Sequence, residues 1–319
     1  MKTLVTGGAG FIGSALVDRL LEKGFQVLVI DNFSTGSEDN LKQARKISGE
    51  NLIVEKCDIR EAETTNFIVD YEPSVIFHLA AQADVRASVD DPLTDAEINL
   101  VGMLRVLEGA RNAKTKKLIF ASSGGTIYGE PDSKQLPLNE DTPWGPLSPY
   151  GVSKLAGGLY LETYGHLSDL KGTTLALANV YGPRQDPHGE AGVVAIFAEK
   201  LLNGEPCTIY GTGKQTRDFV HVDDVASAFV ASIEHGDGQL LNIGTGIETS
   251  IQNLYEEMAL AAGVDSKPEK AEKRLGELER SSLDPSRSES ALGWKPRTNL
   301  KDGVGSTLSW FRSRREGSS

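Results

Sequence analysis

Lys2-Thr3-Leu4-Val5-Thr6-Gly7-Gly8-Ala9-Gly10-Phe11-Ile12-Gly13 runs an apolar strand into three glycines spaced G-x-x-G-x-x-G. An amphipathic pattern follows from Ser14 to Lys23. Gly7 permits the tight turn, Gly10 lets the backbone approach a pyrophosphate, and Gly13 lets the helix pack closely on the strand. The N-terminus of that helix, at Phe11 and Ile12, offers N–H groups and a positive dipole end to phosphates. A second strand, Gln26 to Ile30, ends at Asp31, eighteen residues beyond Gly13. An acid at about that distance binds an adenosine ribose 2′-hydroxyl. It would repel a 2′-phosphate, so the pattern predicts NAD rather than NADP. Strand, glycines, helix, second strand and acid fall in order within one βαβ unit, which is far more specific than a glycine-rich turn alone.

Further along, strands alternate with helices. Leu52 to Glu55 ends in Cys57-Asp58-Ile59, Ser74 to Ala81 ends in small residues, and Lys117 to Ala121 ends in Ser122-Ser123-Gly124-Gly125-Thr126. Helical patterns cover about 38–47 and 93–112. This alternation predicts a doubly wound parallel sheet with right-handed crossovers. Two roles are open for Asp58: accepting a hydrogen bond from an adenine amine, or capping the next helix. The ending His78-Leu79-Ala80-Ala81 lets the backbone approach a cofactor. Beyond Asp132 the pattern loosens into a loop over 135–149, a helix from Tyr150 to Leu167 and a strand over 173–178. Asn179 to Gly192 reads as a loop, 193–202 as a helix, and 208–210, 219–222 and 240–243 as short strands. A helix over 250–262 is closed by Gly263. Glu269 to Arg280 reads as a solvated helix or loop, and 312–319 as a frayed end.

Composition narrows the function. The 319 residues are 39% hydrophobic and 24% charged, ordinary for a globular core, and the net charge of −12 argues against a nucleic-acid or anionic-membrane surface. Two cysteines, Cys57 and Cys207, fit a reducing compartment and support no disulfide framework. The five histidines show no metal-ligand spacing, so no metal is expected. Methionine leads straight into the first strand, leaving no room for a signal peptide, and no apolar run is long enough to span a bilayer. A cytoplasmic protein is expected.

Tyr150-Gly151-Val152-Ser153-Lys154 places a phenol and an ammonium at i and i+4, on one face of a helix. Ser148-Pro149 supplies a cap and a first-turn signal. A phenol titrating near ~10 is a poor base at neutral pH. A neighbouring ammonium stabilises the phenolate and makes it a better one.

Taken together, these motifs resemble those of an extended short-chain dehydrogenase/reductase, and within it a nucleotide-sugar epimerase of the UDP-glucose (UDP-galactose) 4-epimerase type. The resemblance covers nearly the whole chain. It rests on Thr6 to Gly13, Asp31-Asn32, Asp58-Ile59, His78 to Ala81, Asn99, Ser122 to Gly129, Tyr150 to Lys154, Asn179 to Arg184, Arg217 to Val225 and Leu292 to Pro296. It implies an α/β fold: a doubly wound Rossmann domain over 1–178, with a segment returning at about 218–245. A smaller α/β C-terminal domain over 179–217 and 246–319 would bind the nucleotide sugar. Tyr150 would be the catalytic base, and Lys154 would hold the cofactor ribose and tune Tyr150. NAD would lie against Gly7, Gly10, Phe11, Ile12, Gly13, Asp31, Asn32, Asp58, Ile59, Leu79, Ala80, Ala81, Asn99, Ser122, Tyr150 and Lys154. The resemblance also implies a homodimer through the helices at about 93–112 and 150–167, with Met103, Val106, Leu107, Leu159 and Leu161 as apolar candidates, some of which must instead pack on the sheet.

Two departures from that family matter. A Ser or Thr commonly stands four residues before the tyrosine of the V-Y-G motif; here that position, before Tyr128, is Gly124. The hydroxyl that steadies the sugar O4 then comes from Ser123 or Thr126, with Thr126 slightly favoured. Ala176-Leu177-Ala178 also replaces the usual Arg-Tyr-(Ala/Phe), making the wall near the nicotinamide more apolar. For the UDP-sugar the resemblance implies Arg217 and Asn179 at the diphosphate. Arg274 and Glu277 would meet phosphate and uridine ribose, or are part of a solvated charge run. Arg86 and Arg184 would contact the sugar or form structural ion pairs. The residue beside the sugar C2 group falls on Ser281, and a small residue there admits an N-acetyl group. The expected reaction is 4-epimerisation of a UDP-hexose through a 4-keto intermediate. A UDP-hexuronate 4-epimerase stays open, because Arg86 or Arg184 could meet a carboxylate. Nucleotide-sugar 4,6-dehydratases and UDP-glucuronate decarboxylases usually carry an acid where this chain has Thr126, and a non-catalytic NAD-sensing relative would tend to lose the Tyr/Lys pair.

Overall fold

The computed structural model describes residues 1–130, 132, 135–188, 192–273 and 278–316. Strands β1 (Lys2–Thr6), β2 (Gln26–Asp31), β3 (Leu52–Lys56), β4 (Val75–His78), β5 (Lys117–Ser123) and β6 (Lys171–Leu177) share one sheet with the later strand Gln239–Ile243. The spatial order is Gln239–Ile243, β6, β5, β4, β1, β2, β3, and every neighbouring pair is parallel. The central strands read as near-continuous apolar runs because both faces are covered. On one face, helices Phe11–Glu22 and Val222–Ala231 bury Leu16, Val17, Leu20, Val225 and Phe229 against Val5, Val29 and Phe77. On the other, helices Ala62–Tyr71, Gly102–Asn112 and Pro149–Leu167 bury Ile68, Met103, Val106, Leu107 and Leu161 against Leu4, Leu28, Ile76 and Phe120. Strand order reverses between β1 and β4, and Gly7 and Ala80 lie there at the strands' C-terminal ends. A ligand crevice belongs at such a switch point.

A second core surrounds Tyr181, Phe197, Leu201, Ile209, Phe219, Leu254, Tyr255 and Met258. It joins helices Val193–Asn203, Ile251–Ala262 and Leu300–Glu316. The last helix continues well past Arg312, where fraying was expected, because Val304, Leu308 and Phe311 recur at helical spacing and are buried in this core. Two expected loops contain strands. Asn179–Tyr181 pairs with Phe219–His221, and Glu269–Ala271 pairs with Thr208–Tyr210. Helices Val85–Asp90 and Ser286–Leu292 carried no signal that the sequence reading used. The helix expected over 93–112 runs as Pro92–Ala96, a π turn over Glu97–Val101, and Gly102–Asn112.

The expected dimer face needs correction. Met103, Val106 and Leu107 are fully buried against the sheet, and so is Leu161. A helix with one apolar stripe spends it on its own core first. Of the five candidates Leu159 is exposed, and the other exposed apolar side chains of these two helical regions are Leu93, Val101, Val152, Tyr160 and Leu167.

Candidate active site

The glycine loop leaves no room for side chains. Gly7 has φ +70°, and a Cβ there would lie 2.7 Å from the Ala80 nitrogen. A Cβ on Gly13 would lie 2.9 Å from the Gly7 carbonyl carbon and from Gly8 Cα. Helix Phe11–Glu22 starts at Gly10 with no side-chain cap, so its first N–H groups stay available to an anion. Asp31 ties the loop down. Its carboxylate accepts from Ala9 N at 2.9 Å and Phe33 N at 2.8 Å, and burial pushes its carboxyl above the usual range against these bonds. Bare backbone, an open helix N-terminus and a buried acid at the next strand end fit a dinucleotide.

Asp58 serves a local turn. It accepts from Arg60 N at 2.9 Å, from two guanidinium nitrogens of Arg60 at 2.9 Å each, and from Asn32 Nδ2 at 2.9 Å. These bonds, the Arg60 side chain first, hold its carboxyl down at about 2. Ile59, on the next residue, is buried against Gly102. At the end of β4, His78 Nδ1 lies 2.7 Å from Thr6 Oγ1, which accepts from Ala80 N at 3.3 Å. The half-buried run Leu79 to Ala81 is thereby pinned against Gly7. Asn99 continues the anchoring: its side chain exchanges bonds with Gln82 N (3.0 Å) and Gln82 O (2.9 Å), and donates to Asp95 Oδ1 (2.9 Å).

Helix Pro149–Leu167 presents the phenol and the ammonium. Ser148 Oγ accepts from Gly151 N at 3.1 Å, and Pro149 opens the first turn. Tyr150 is 9% exposed and Lys154 3%. Lys154 Nζ donates to Ala121 O at 3.0 Å, 5.0 Å from the Phe120 ring and 5.7 Å from the Tyr150 ring. The ammonium therefore sits at the end of β5 beside the phenol. Ser122 Oγ donates to Lys154 O at 3.2 Å. Two residues absent from the sequence reading, Ser88 and Asp95, brace this helix. Ser88 Oγ accepts from Tyr150 N at 3.2 Å, and Ser153 Oγ donates to Asp95 Oδ2 at 2.6 Å, which links the helix to Asn99 and Gln82.

β5 turns at Ser123 into one helical turn, Gly124–Ile127. Thr126 Oγ1 donates to the Ser123 carbonyl at 3.3 Å, so its proton is committed to the backbone. The Ser123 side chain is half-buried at the strand end. Ala176 and Leu177 are buried at the neighbouring end of β6, and Ala176 packs with Ile127 and Leu283.

Arg217 is half-buried on strand Thr216–Arg217. The next residue, Asp218, is fully buried. Its carboxylate accepts from Thr245 N (2.9 and 3.0 Å), Thr245 Oγ1 (2.5 Å), Gly246 N (3.0 Å) and Leu283 N (3.1 Å). Asn179 is exposed, and its N–H donates to Asp218 O at 2.9 Å. Ser281 is buried in the segment that reaches Asp218. Arg86 is exposed at the start of Val85–Asp90. Arg184 forms the structural ion pair that was one of its two expected roles: its guanidinium donates to Asp18 Oδ2 at 2.5 Å on helix Phe11–Glu22. Arg274 and Glu277 lie outside the described residues. No group of three or more His, Cys, Asp or Glu able to hold a metal occurs among the described residues, and none of their helices is long and apolar enough to cross a membrane. Cys57 and Cys207 are both buried and unpaired.

A seven-stranded parallel sheet with an open glycine loop, and a Tyr/Lys pair at the end of its fifth strand, define a dinucleotide enzyme of the short-chain dehydrogenase/reductase type. The chain belongs to the NAD dependent epimerase/dehydratase family, whose model matches residues 3–244. It is 49% identical over 315 residues to the UDP-glucose 4-epimerase of Mycolicibacterium smegmatis, covering 98% of this chain and 99% of that one. The structure of the Thermotoga maritima UDP-glucose 4-epimerase with UDP-glucose superposes with a TM-score of 0.94 at 43% identity, covering 99% of this chain and 100% of that one. The Thermus thermophilus UDP-glucose 4-epimerase in complex with NAD gives 0.90 at 42% identity, covering 98% and 99%.

Proposed function

We propose that this protein is a UDP-hexose 4-epimerase that retains NAD through its catalytic cycle. The observation that carries the reading is the buried Tyr150–Lys154 pair at the end of β5, in the same parallel sheet as the glycine loop. When bound, NAD supplies hydride acceptance from the sugar C4 and its return to the opposite face. Tyr150 takes the proton of the 4-hydroxyl as the C4–H bond breaks, and gives it back to O4 when C4 is reduced. Lys154 holds a positive charge beside that phenol. The glycine loop and the helix N-terminus at Phe11, Ile12 and Gly13 bind the pyrophosphate, and Asp31 the adenosine ribose. Ser123 steadies O4. The sequence favours Thr126 for this role, but the Thr126 proton is already spent on a carbonyl. Arg217 and Asn179 bind the diphosphate of the UDP-sugar, in the lobe formed by 179–217 and 246–319. With Arg184 paired to Asp18, one of two cations that would favour a hexuronate carboxylate is withdrawn.

Ser281 is the proposed gate at the sugar C2 group, and its size favours acceptance of UDP-N-acetylglucosamine beside UDP-glucose. Exposed Leu93, Val101, Val152, Leu159 and Tyr160 are the proposed homodimer face. Two buried free thiols support a cytoplasmic location. The deciding experiment is incubation with a panel of UDP-sugars without added reductant, read by product separation. Interconversion of 4-epimers is expected. A 4-keto-6-deoxy, pentose or uronate-only product would replace the reading. A comparison of wild type with Ser281→Tyr then tests the gate, and selective loss of the N-acetylated sugar is expected.

A further inference from the structure

The glycine at 124 has a cause in packing. Gly124 lies in an ordinary helical turn and is absent from the glycines with positive φ, so its backbone does not require glycine. A Cβ there would instead fall well inside carbon–carbon contact distance of Leu283 Cδ1, 3.2 Å from Leu283 Cδ2 and 3.3 Å from the Ala176 carbonyl oxygen. The neighbouring Gly125 differs: a Cβ on it meets nothing within 4 Å. Leu283 has little freedom to withdraw. It is fully buried among Ile127, Tyr128, Leu138 and Ala176. Its backbone is held on both sides, by Leu283 N to Asp218 Oδ2 at 3.1 Å and by Asp284 N to Leu138 O at 2.7 Å. The segment that carries buried Ser281 thus touches the catalytic turn at Leu283.

We infer that Leu283 is a positioning residue: its side chain takes the volume that a side chain at 124 would need, which forces the hydroxyl that steadies the sugar O4 onto Ser123 or Thr126. The hydroxyl's role rests on the epimerase reading; the contact rests on packing alone. Leu283 also carries the placement set by Asp218, next to Arg217, onto the turn that holds Ser123. A change in the hold on Leu283 is then felt at the reacting end of the sugar rather than at the nucleotide.

The test is a double-mutant cycle on the full chain with bound NAD, using Gly124→Ser, Leu283→Ala and both together. Thermal midpoints read the contact without reference to any substrate. Gly124→Ser alone is expected to lower the midpoint by several degrees through overcrowding. Added to Leu283→Ala, the same serine is expected to lower it no further. Additive shifts would overturn the contact. Turnover of UDP-glucose reads the positioning. Leu283→Ala should lower kcat about 10-fold with KM little changed, as expected when an interaction of the reacting end alone is disturbed. In the double variant the new serine should restore much of that loss and make Ser123→Ala and Thr126→Val tolerable. A rise in KM with kcat unchanged, or undiminished dependence on Ser123 and Thr126, would overturn the positioning role. If wild type epimerises no UDP-sugar, the functional reading fails, and the thermal cycle still decides the contact.

Discussion

Tyr150, Ser123 and His78 each do work that a single substitution can isolate. Tyr150→Phe keeps the ring beside the Lys154 ammonium and removes only the hydroxyl proposed as proton acceptor. Turnover is expected to fall about 10³-fold or more while NAD stays bound. Product separation and the NAD released on denaturation check the two halves, and near-normal epimerisation would remove Tyr150 as the base. For the second hydroxyl, Ser123→Ala is expected to slow the chemical step more than Thr126→Val. The reverse ranking would return the role to Thr126. His78 makes a pH prediction. Burial, and then the charge of Lys154, hold its imidazole neutral and push its pKa down to about 3, whereas an unfolded chain titrates near ~6.5. Between those values the unfolded chain binds a proton that the folded one refuses. Stability is therefore fully present above ~6.5 and drains as pH falls towards about 3. Thermal midpoints at pH 7 and pH 5 should converge in His78→Asn relative to wild type. An equal fall in both proteins would clear His78 of the effect.

Helix Pro149–Leu167 was legible because its cap, its proline and its Tyr/Lys spacing are local signals, and the structure starts it within one residue of the expected position. The first βαβ unit was legible for the same reason. Elements whose cause is distant were not. Glu269–Ala271 has no apolar alternation, and is a strand because Thr208–Tyr210 offers it an edge. Asn179–Tyr181 sits in a proline- and glycine-rich run and is recruited by Phe219–His221. Asp218 falls in the matched stretch Arg217 to Val225, but its bonding role was not legible because its partners Thr245 and Leu283 lie 27 and 65 residues away. The stripe Met103, Val106 and Leu107 was legible as apolar and divided between an interface and the sheet, and all three residues go to the sheet. At this scale, Ser148→Ala should destabilise the protein by about 1 kcal/mol through the lost bond to Gly151 N. Denaturant unfolding checks the value. Because that cap precedes Tyr150, turnover should fall with it.

Two buried cores and one shared sheet set the behaviour of the whole chain. The exposed residues Val152 and Leu159 lie on a helix packed beside Gly102–Asn112, and together with Leu93 and Val101 they form the surface on which the homodimer is proposed. Light scattering at micromolar concentration should report twice the chain mass of 34.3 kDa. Val152→Glu with Leu159→Glu should give a monomer that still binds NAD, and a wild-type monomer would remove the assembly. The seventh strand of the sheet, Gln239–Ile243, has a separate consequence during synthesis. Its one neighbour among the described residues is β6, which ends at Leu177, so β6 leaves the ribosome before its partner is translated. For the several seconds needed to add the intervening residues at ~5–20 per second, the nascent chain carries an unpaired strand edge next to a nearly finished sheet. Nascent chains arrested before Gln239 should be cut by protease within β6, and chains arrested far enough beyond Ile243 to clear the tunnel should not. The glycine loop, complete at the start of the chain, therefore waits on a strand made near the end before the sheet under it can close.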